Sequence, residues 1–330
     1  MLNPNLYLNH AICSKHIDQE PTRDGYGKGL LEVGKNESVV VLSADLDEST
    51  RCHWFKRVYP ERFIECGVAE QNMAGIAAGL GVSGKIPFIN SYATFSPGRN
   101  WEQIRTAIAY NDANVKIAGH HAGVSTGPDG ATHQALEDIA LMRALPNMKV
   151  IVPCDAVEAR KATVAVSHTW GPAYIRLQRE STPLITTIAT PFLPGVAHVF
   201  WEPKKKNCDV VIIGAGPIVY RGLEAACILE REGYSIAVIN SATIKPLDEK
   251  TIGMWIKKAR AVVTIEEHSV IGGLGEAVSA LCAREHPVPI EHIGTRDVFG
   301  QSGNPRELAV RYHIDTKDIV NAAKKVVRRK

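Results

Sequence analysis

The first half of the chain alternates short, continuous apolar runs with longer segments in which apolar residues recur at helical spacing. The Val39–Leu42 run contains no polar position, which is typical of a strand buried on both faces. Helical segments between such strands favour a parallel sheet covered by helices. The runs predict strands at 39–42, 63–64, 86–89, 115–118, 150–152 and 174–175. The helical spacing predicts helices near 23–36, 69–82, 98–110, 134–144 and 155–168.

A second unit of the same kind follows a stretch that interrupts the alternation. Residues 180–207 contain four prolines and a lysine run, and we predict a linker there, over 191–207. After it the pattern predicts strands at 210–213, 236–239, 261–265 and 289–292. It predicts helices near 217–232, 248–258, 273–285 and 315–328. The predicted fold class is therefore α/β, with two doubly wound domains. The expected division is an N-terminal arm over 1–22, a first domain over 23–190, the linker, and a smaller second domain over 208–330.

Polar and charged side chains follow nearly every predicted strand of the first domain. In sheets of this kind, ligands bind beyond the carboxyl ends of the strands. A single reactive residue there would mean little, but a full row of them indicates an active-site edge. The residues in question are Asp45, Ser49, Glu70, Tyr92, Thr94, Phe95, His120, His121, Asp129, His133, Asp155, Arg176 and Arg179.

Composition narrows the class of protein. The chain has 330 residues, of which 45% are hydrophobic and 22% charged, and this is ordinary globular composition with room for two domains. A net charge of +3 is too small to indicate a nucleic-acid partner. No apolar stretch is long enough to cross a bilayer and no signal-peptide pattern opens the chain, so we predict a cytoplasmic protein. Seven scattered cysteines without a Cys-x-x-Cys pair predict reduced thiols and argue against a zinc ribbon.

Glu70 opens a predicted helix that is dense in alanine and glycine. Taken alone, it is most simply a first-turn carboxylate favoured by the helix dipole. The alternative is an acid held in a close-packed interior to exchange a proton or bind a ring nitrogen. The row of functional side chains at the same edge favours the second interpretation.

Other motifs carry less weight. Gly214–Pro217 follows a strand, but the third glycine of a dinucleotide fingerprint is absent, so a tight turn explains it. The spacing of His120, His121 and His133 fits no helical metal pair or zinc finger, and we predict rim histidines that bind a substrate hydroxyl or phosphate. Arginine after a buried strand suits a phosphate through bidentate hydrogen bonds, and Arg176 is one such residue.

Three stretches together resemble the C-terminal half of transketolases. Gly67–Met73 resembles the family's segment around its cofactor glutamate, and Gly127–Arg143 resembles its second signature, with Asp-Gly-x-Thr-His-Gln at 129–134. Ser43–Leu46 followed by Ser49 also matches. The resemblance covers nearly the whole chain, and it implies a pyrimidine-binding domain followed by a transketolase C-terminal domain.

The resemblance also implies thiamine diphosphate and Mg²⁺ as cofactors. By it, Glu70 binds the aminopyrimidine ring nitrogen and shares a proton there, which activates the cofactor. Phe95 stacks on the pyrimidine, Leu46 supports the bent cofactor from below, and Asp45 lies in the same contact region. Glu70 and His133 are the expected catalytic residues, since His133 matches a signature histidine close to cofactor and substrate.

Substrate contacts are implied in the same way. Arg23, Ser49, His121 and Arg179 match the family's sugar-phosphate ligands. Asp129 matches the residue that checks the configuration of a substrate hydroxyl. The sequence departs from the family pattern at Pro128, Ala131, Gly98 and Trp101.

The largest departure concerns the diphosphate-binding domain that precedes this region in transketolases. We find no Gly-Asp-Gly followed by the metal-binding Asn, since Asp24-Gly25 lacks that context. The expectation is therefore the C-terminal subunit of a split transketolase. It has no metal ligand of its own, and its N-terminal partner subunit supplies the Mg²⁺ ligands. A heterotetramer with self-association of this chain is expected, and neither a nucleic acid nor a membrane is an expected partner.

The predicted activity is transfer of a two-carbon ketol unit from a ketose phosphate to an aldose phosphate, in pentose phosphate metabolism. One alternative is another thiamine-diphosphate enzyme half, either of the 1-deoxyxylulose-5-phosphate synthase type or a 2-oxo acid dehydrogenase beta subunit. A non-catalytic partner subunit is the other.

Overall fold

Two parallel-type sheets covered by helices and one two-stranded antiparallel sheet make up the molecule, as a computed structural model describes it over residues 1–14 and 16–330. In the first sheet, alternate residues of the strand at 39–42 pack into hydrophobic cores on opposite faces. Val39 and Val41 pack with residues of the helices near 26 and 162, whereas Val40 and Leu42 pack against the helix that begins at Glu70. The sheet is thus covered on both faces, and the predicted doubly wound α/β class is confirmed.

The first domain keeps the predicted order of strands and helices and adds a helix over 53–58 and two short strands, over 19–21 and 181–183. Its elements are β1 (Gln19–Pro21), α1 (Thr22–Val33), β2 (Val39–Ser43), α2 (His53–Val58), β3 (Phe63–Glu65), α3 (Glu70–Val82), β4 (Ile86–Tyr92), α4 (Trp101–Gln103), β5 (Lys116–His120), α5 (Asp138–Arg143), β6 (Lys149–Ile151), α6 (Ala156–Ser167), β7 (Ala173–Arg176) and β8 (Ser181–Pro183).

Two predicted helices of this domain differ from the structure. The helix predicted over 98–110 is α4 continued by a π-helical segment, Ile104–Ala109. The helix predicted over 134–144 begins only at Asp138, because the Gln134 side chain donates to backbone carbonyls of Val124, Gly127 and Gln301. These bonds hold residues around 134 in a loop.

The second domain contains β9 (His198–Trp201), β10 (Val210–Gly214), α7 (Val219–Arg231), β11 (Ile236–Asn240), β12 (Thr243–Lys245), α8 (Glu249–Ala259), β13 (Val262–Ser269), α9 (Leu274–Glu285), β14 (Ile290–Thr295), α10 (Pro305–Arg311) and α11 (Thr316–Val327). Its sheet has the order β14-β13-β10-β11-β9, in which β9 is the antiparallel edge strand. The first sheet has the order β12-β6-β7-β5-β4-β2-β3.

Short strands join regions that the sequence predicted to be separate. The predicted linker over 191–207 contains β9, which pairs with β11. Strand β12 leaves the second domain and pairs antiparallel with β6 of the first. The predicted arm packs on the second domain, where Leu6, Leu8 and Ile12 are buried in its core. Proline-rich composition does not reveal such pairings, because edge strands of three or four residues leave little periodicity.

Cysteine pairing also differs from the prediction. Cys13 in the arm and Cys227 in α7 form a disulfide, so the prediction that all seven cysteines are reduced thiols is wrong at this pair. Their Cα atoms lie 6.6 Å apart, across a sequence separation of 214 residues. Only the folding of the arm onto α7 brings them together.

Two features are absent from residues 1–14 and 16–330. No helix there is both long enough and apolar enough to cross a membrane. No group of three or more His, Cys, Asp or Glu side chains converges there in a way that could hold a metal ion.

Candidate active site

The carboxyl ends of four neighbouring strands meet at one edge of the first sheet. The register pairs Ser43 with Asn90 at the ends of β2 and β4, and Tyr92 with His120 at the ends of β4 and β5. Because these strands are parallel, the residues that follow them lie along a common edge. This is the edge that the sequence predicted to carry the site.

Glu70 is the first residue of α3, and it is only 3% exposed. The turn before it needs glycine, because Gly67 has a φ of 67°. Its carboxylate accepts hydrogen bonds from Arg99, whose Nη1 lies 3.2 Å from both Oε1 and Oε2. The Ser91 hydroxyl is 3.4 Å from Oε1. A carboxylate at a helix N-terminus and inside the protein is positioned to bind a cationic or proton-donating group.

An aromatic cluster lies between this acid and the basic residues. The Tyr92 and Phe95 rings are stacked with centroids 5.9 Å apart, and the His121 ring lies 4.2 Å from Tyr92. His133 meets the Phe95 ring edge-on at 5.4 Å. The structure therefore brings Phe95, His121 and His133 into one cluster. Tyr92 is the residue that connects them, and the sequence showed it only as one of many rim residues.

Arg23, Ser49 and His121 form a second group. Arg23 Nη1 donates to the Ser49 carbonyl at 3.0 Å and lies 3.1 Å from His121 Nε2. Burial, followed by the charges of Arg23 and Arg179, lowers the pKa of His121 to about 3, so the ring is neutral at physiological pH. Since a guanidinium only donates, Nε2 must be the acceptor and Nδ1 carries the hydrogen. The φ of His121 is 53°, a backbone conformation that non-glycine residues adopt mainly where function or packing holds it.

Asp129 and Arg179, both predicted to contact substrate, are paired with each other. Arg179 Nη1 lies 3.1 Å from each carboxylate oxygen of Asp129. The Arg179 side chain is 36% exposed and the Asp129 side chain 30%, so water reaches the pair. The pair also lies close enough to the second group for the Arg179 charge to lower the pKa values of Arg23 and His121.

Asp45 and Leu46 lie on the turn that follows β2. The Asp45 N–H donates to Glu65 Oε1 at 2.8 Å, and the Leu46 N–H lies 3.3 Å from the Ser43 hydroxyl. Glu65 Oε1 also accepts from the N–H of Gly67, so one carboxylate fixes this turn and the turn before α3. Across the described ranges, the Asp45 side chain is not hydrogen-bonded to Glu70.

Two predicted rim residues are buried and pack against core residues of the first domain. Arg176 is 3% exposed, and its guanidinium donates to Asp138 at 2.9 Å and to the carbonyls of Ala135 and Glu267. Its predicted role as a phosphate ligand is therefore wrong. His120 is fully buried against the Tyr26 ring, and burial holds its pKa well below the ordinary value, so the prediction of a rim ligand is wrong here as well.

Glu267 was not among the predicted site residues, but it contacts this edge of the first domain. It comes from β13 of the second domain, yet Oε1 accepts from the Ser125 N–H and Oε2 from Gln178 Nε2, both at 2.7 Å. Ser125 belongs to the loop that carries Asp129, and Gln178 precedes Arg179. One carboxylate of the second domain thus holds both backbone segments of the Asp129–Arg179 pair. Glu267 comes just after the strand predicted at 261–265, and this position was the signal in the sequence that could have indicated a role at the site.

Known proteins share both halves of this architecture. The sequence profile of the transketolase pyrimidine-binding domain matches residues 19–184, and that of the transketolase C-terminal domain matches residues 201–319. A putative transketolase C-terminal section of Methanocaldococcus jannaschii is 44% identical over 90% of this chain and 93% of its own length. A 6-deoxy-6-sulfo-D-fructose transketolase subunit of a Clostridium species is 38% identical over 95% of this chain and 97% of its own.

Longer relatives and solved structures agree. Human transketolase is 36% identical over 98% of this chain, which spans 52% of that protein. A structure described as a split gene transketolase, an inactive beta4 tetramer, superposes with a TM-score of 0.87 and is 45% identical, covering 94% of this chain and 99% of that one. The chain therefore belongs to the transketolase family and comprises the pyrimidine-binding and C-terminal domains of a transketolase-type, thiamine-diphosphate-dependent transferase.

Proposed function

We propose that this chain is the pyrimidine-binding half of a two-chain transketolase. In this proposal it moves a two-carbon ketol unit from a ketose phosphate to an aldose phosphate. The observation that carries the proposal is the buried carboxylate of Glu70 at the start of α3, on the same sheet edge as the Arg23–His121 group. An acid shielded from water suits a ring nitrogen, and guanidinium groups suit a terminal phosphate.

The residues present fit the pyrimidine end of thiamine diphosphate. Glu70 holds a proton between its carboxylate and the ring nitrogen, and Phe95 offers an aromatic face for stacking. Asp45 and Leu46, on the turn after β2, contact the cofactor from the neighbouring strand end. When bound, thiamine diphosphate supplies the electron sink that no amino-acid side chain offers.

The basic group binds the sugar phosphate. Arg23 and Arg179 supply guanidinium donors, the neutral His121 supplies its Nδ1 hydrogen, and Ser49 supplies a hydroxyl. Nδ1 of His121 and Nε of Arg23 are both buried without a partner among the described residues, so each has an unused hydrogen-bonding position. Such atoms suit a ligand that arrives with several acceptor oxygens.

Asp129 and His133 act on the rest of the sugar. Asp129 accepts a hydrogen bond from a substrate hydroxyl once Arg179 turns toward the phosphate. His133 lies edge-on to Phe95 and bonds through Nδ1 to the Thr132 hydroxyl at 2.9 Å, so Nε2 remains for substrate. It exchanges a proton with the reacting oxygen.

The partner in this proposal is a diphosphate-binding chain that carries the Mg²⁺ ligands. The outward face of α3 suits its docking, because Gly75 and Gly79 have nothing within 4 Å of an added Cβ. Val68 and Val82 at the ends of this face are 68% and 64% exposed. A partner on this face lies next to Glu70, where the cofactor must bridge the two chains. With self-association of this chain, the expected assembly is a heterotetramer.

The remaining assignments follow from the family. We place the enzyme in the cytoplasm and in pentose phosphate metabolism. Sugar phosphates are the proposed substrates, although a relative is a subunit of a sulfosugar transketolase. A guanidinium group binds a sulfonate as well as a phosphate, so the assay below includes both kinds of donor.

Reconstitution tests the function. The chain with its cognate diphosphate-binding chain, thiamine diphosphate and Mg²⁺ is expected to transfer a ketol unit, and the chain alone is not. Glu70→Gln should lower kcat by at least about a hundredfold, because the proton at the ring nitrogen is lost. Glu61→Gln, a change at a 67% exposed side chain, is the matched control.

Other outcomes would select other functions. Release of CO₂ from pyruvate by the same complex would indicate a 1-deoxyxylulose-5-phosphate synthase or 2-oxo acid dehydrogenase type of reaction. Faster turnover of a 6-deoxy-6-sulfo ketose than of a ketose phosphate would replace the proposed substrate class. Ketol transfer by the isolated chain would contradict the need for a partner.

A further inference from the structure

Arg99 makes the two contacts that the proposed function assigns to the cofactor's aminopyrimidine ring. Its Nη1 lies 3.2 Å from both carboxylate oxygens of Glu70. Its guanidinium carbon lies 4.1 Å from the centroid of the Phe95 ring. A guanidinium is planar, stacks on aromatic faces and donates to carboxylates, so it shares these properties with a protonated aminopyrimidine.

The loop after β4 is built to place Arg99 there. The Arg99 N–H donates to the Phe95 carbonyl at 2.8 Å, so the two side chains lie one turn apart on the same side. Asn100, which is fully buried, donates through Nδ2 to the Glu70 carbonyl at 3.2 Å and to the Ser96 hydroxyl at 3.1 Å. These bonds fasten the loop to the first turn of α3. The position of Arg99 therefore follows from the backbone and not only from its own ion pair.

We propose that Arg99 occupies the aminopyrimidine position in the free chain and that cofactor binding displaces it. The inference rests on the proposed function, because it needs Glu70 and Phe95 to be the pyrimidine contacts. It adds a residue that competes with the cofactor and so sets its affinity. Nη1 of Arg99 bridges both Glu70 oxygens while its guanidinium covers the Phe95 ring, so a pyrimidine cannot make both contacts until the guanidinium leaves.

Burial explains why such an occupant is useful and why it can leave. The Glu70 side chain is 3% exposed, and a charge at that depth is costly without a partner. The Arg99 side chain is 49% exposed, so half of it is already hydrated. Half of the Arg99 side chain already contacts water, so the guanidinium gives up little when it turns fully into solvent. It can therefore leave Glu70 when the cofactor competes for that carboxylate. Arg99 thus keeps the acid paired until the cofactor takes over.

The competition is measurable as cofactor affinity. In the complex with the cognate diphosphate-binding chain and Mg²⁺, thiamine diphosphate is titrated by calorimetry into wild type, Arg99→Met and Arg99→Lys. If Arg99 fills the site in about nine molecules of ten, Arg99→Met tightens the apparent Kd about tenfold. Arg99→Lys keeps the charge but loses the planar stack, so an intermediate Kd is expected. Arg105→Met, at an exposed arginine six residues further along, is the matched control and should leave the Kd unchanged.

The outcomes separate this inference from the function on which it rests. Equal or weaker binding by Arg99→Met, with wild type still binding thiamine diphosphate, overturns the competition and leaves the proposed function intact. If no complex binds thiamine diphosphate, the proposed function fails and the competition fails with it.

A second readout uses the full chain alone. Arg99 side-chain Nε–H resonances, assigned by comparison with Arg99→Lys, are followed while 4-amino-2-methylpyrimidine is added. A shift of the Arg99 resonance toward the value of a solvated arginine supports displacement. Binding of the pyrimidine without a shift at Arg99 overturns it.

Discussion

Two arginine–carboxylate pairs of the first domain differ in burial and in partners. In the Arg176–Asp138 pair both side chains are nearly inaccessible, 2% and 1% exposed, and Nε donates to Asp138 at 2.9 Å. In the Arg99–Glu70 pair the acid is equally deep, but the arginine is 49% exposed. Arg176 has two further carbonyl acceptors, whereas the Arg99 guanidinium is hydrogen-bonded to Glu70 alone among the described residues.

This difference separates a structural ion pair from an exchangeable one. Burial alone raises the pKa of Asp138, but Arg176 and the Tyr174 hydroxyl outweigh burial and leave that pKa below its ordinary value. The Arg176 guanidinium donates to three protein acceptors and joins the two domains through the Glu267 carbonyl. The Glu70 carboxylate is also buried, but its partner Arg99 is half exposed, and water can replace it. Guanidinium groups after buried strands are therefore not equivalent, and accessibility decides which of them meet a ligand.

The largest effect is expected from breaking the structural pair. Arg176→Met leaves the Asp138 carboxylate buried without its counter-charge, and it should cost about 3–5 kcal/mol of unfolding free energy. Urea denaturation followed by circular dichroism measures this loss, with Arg105→Met as the control for removal of a positive charge. A loss no larger than that of the control would show that Asp138 does not depend on Arg176.

A smaller effect concerns pH in the same interdomain region. Glu266 is fully buried and accepts from the N–H groups of Leu274 and Gly275, and burial raises its pKa to about 7. The groups that face it are Arg176, Arg143 and His268. Burial lowers the pKa of His268 to about 4, so that neighbour is neutral above this pH.

The direction of the pH effect follows from proton binding. Between the unfolded pKa near 4.5 and the folded pKa of about 7, the native state holds a proton at Glu266 that the unfolded state has released. Stability from this group is therefore full below pH 4.5 and is lost as pH rises through 7. Unfolding free energies measured from pH 4.5 to 8 should fall more steeply for wild type than for Glu266→Gln. Parallel curves would contradict the raised pKa.

The smallest effect is expected at the exchangeable pair. Arg99→Met should cost less unfolding free energy than Arg176→Met, because water can take the place of the half-exposed Arg99 guanidinium beside Glu70. The measurement is the same urea denaturation that tests Arg176→Met. A loss as large as that of Arg176→Met would make Arg99 a structural residue and remove the distinction between the two pairs.

Much of the first domain was predictable because its strands are buried on both faces. The composition of the Val39–Leu42 run predicts a strand, and the alanine-rich composition of α3 predicts a helix. Among the segments that were missed, β9 and β12 are short edge strands whose pairing partners lie in distant parts of the chain. Arg176 and His120 were misassigned because position after a strand does not state how deeply a side chain is buried.

The amino-acid sequence by itself determined the α/β class, the edge that carries the site, and the resemblance that singled out Glu70, Phe95 and Arg179. Burial patterns and family signatures are local, so they survive in the order of the residues. Only the tertiary structure decided that Glu267 reaches the Asp129 loop from the other domain and that Arg99 lies on Glu70. Those contacts depend on distances between segments far apart in the chain, which no local pattern encodes.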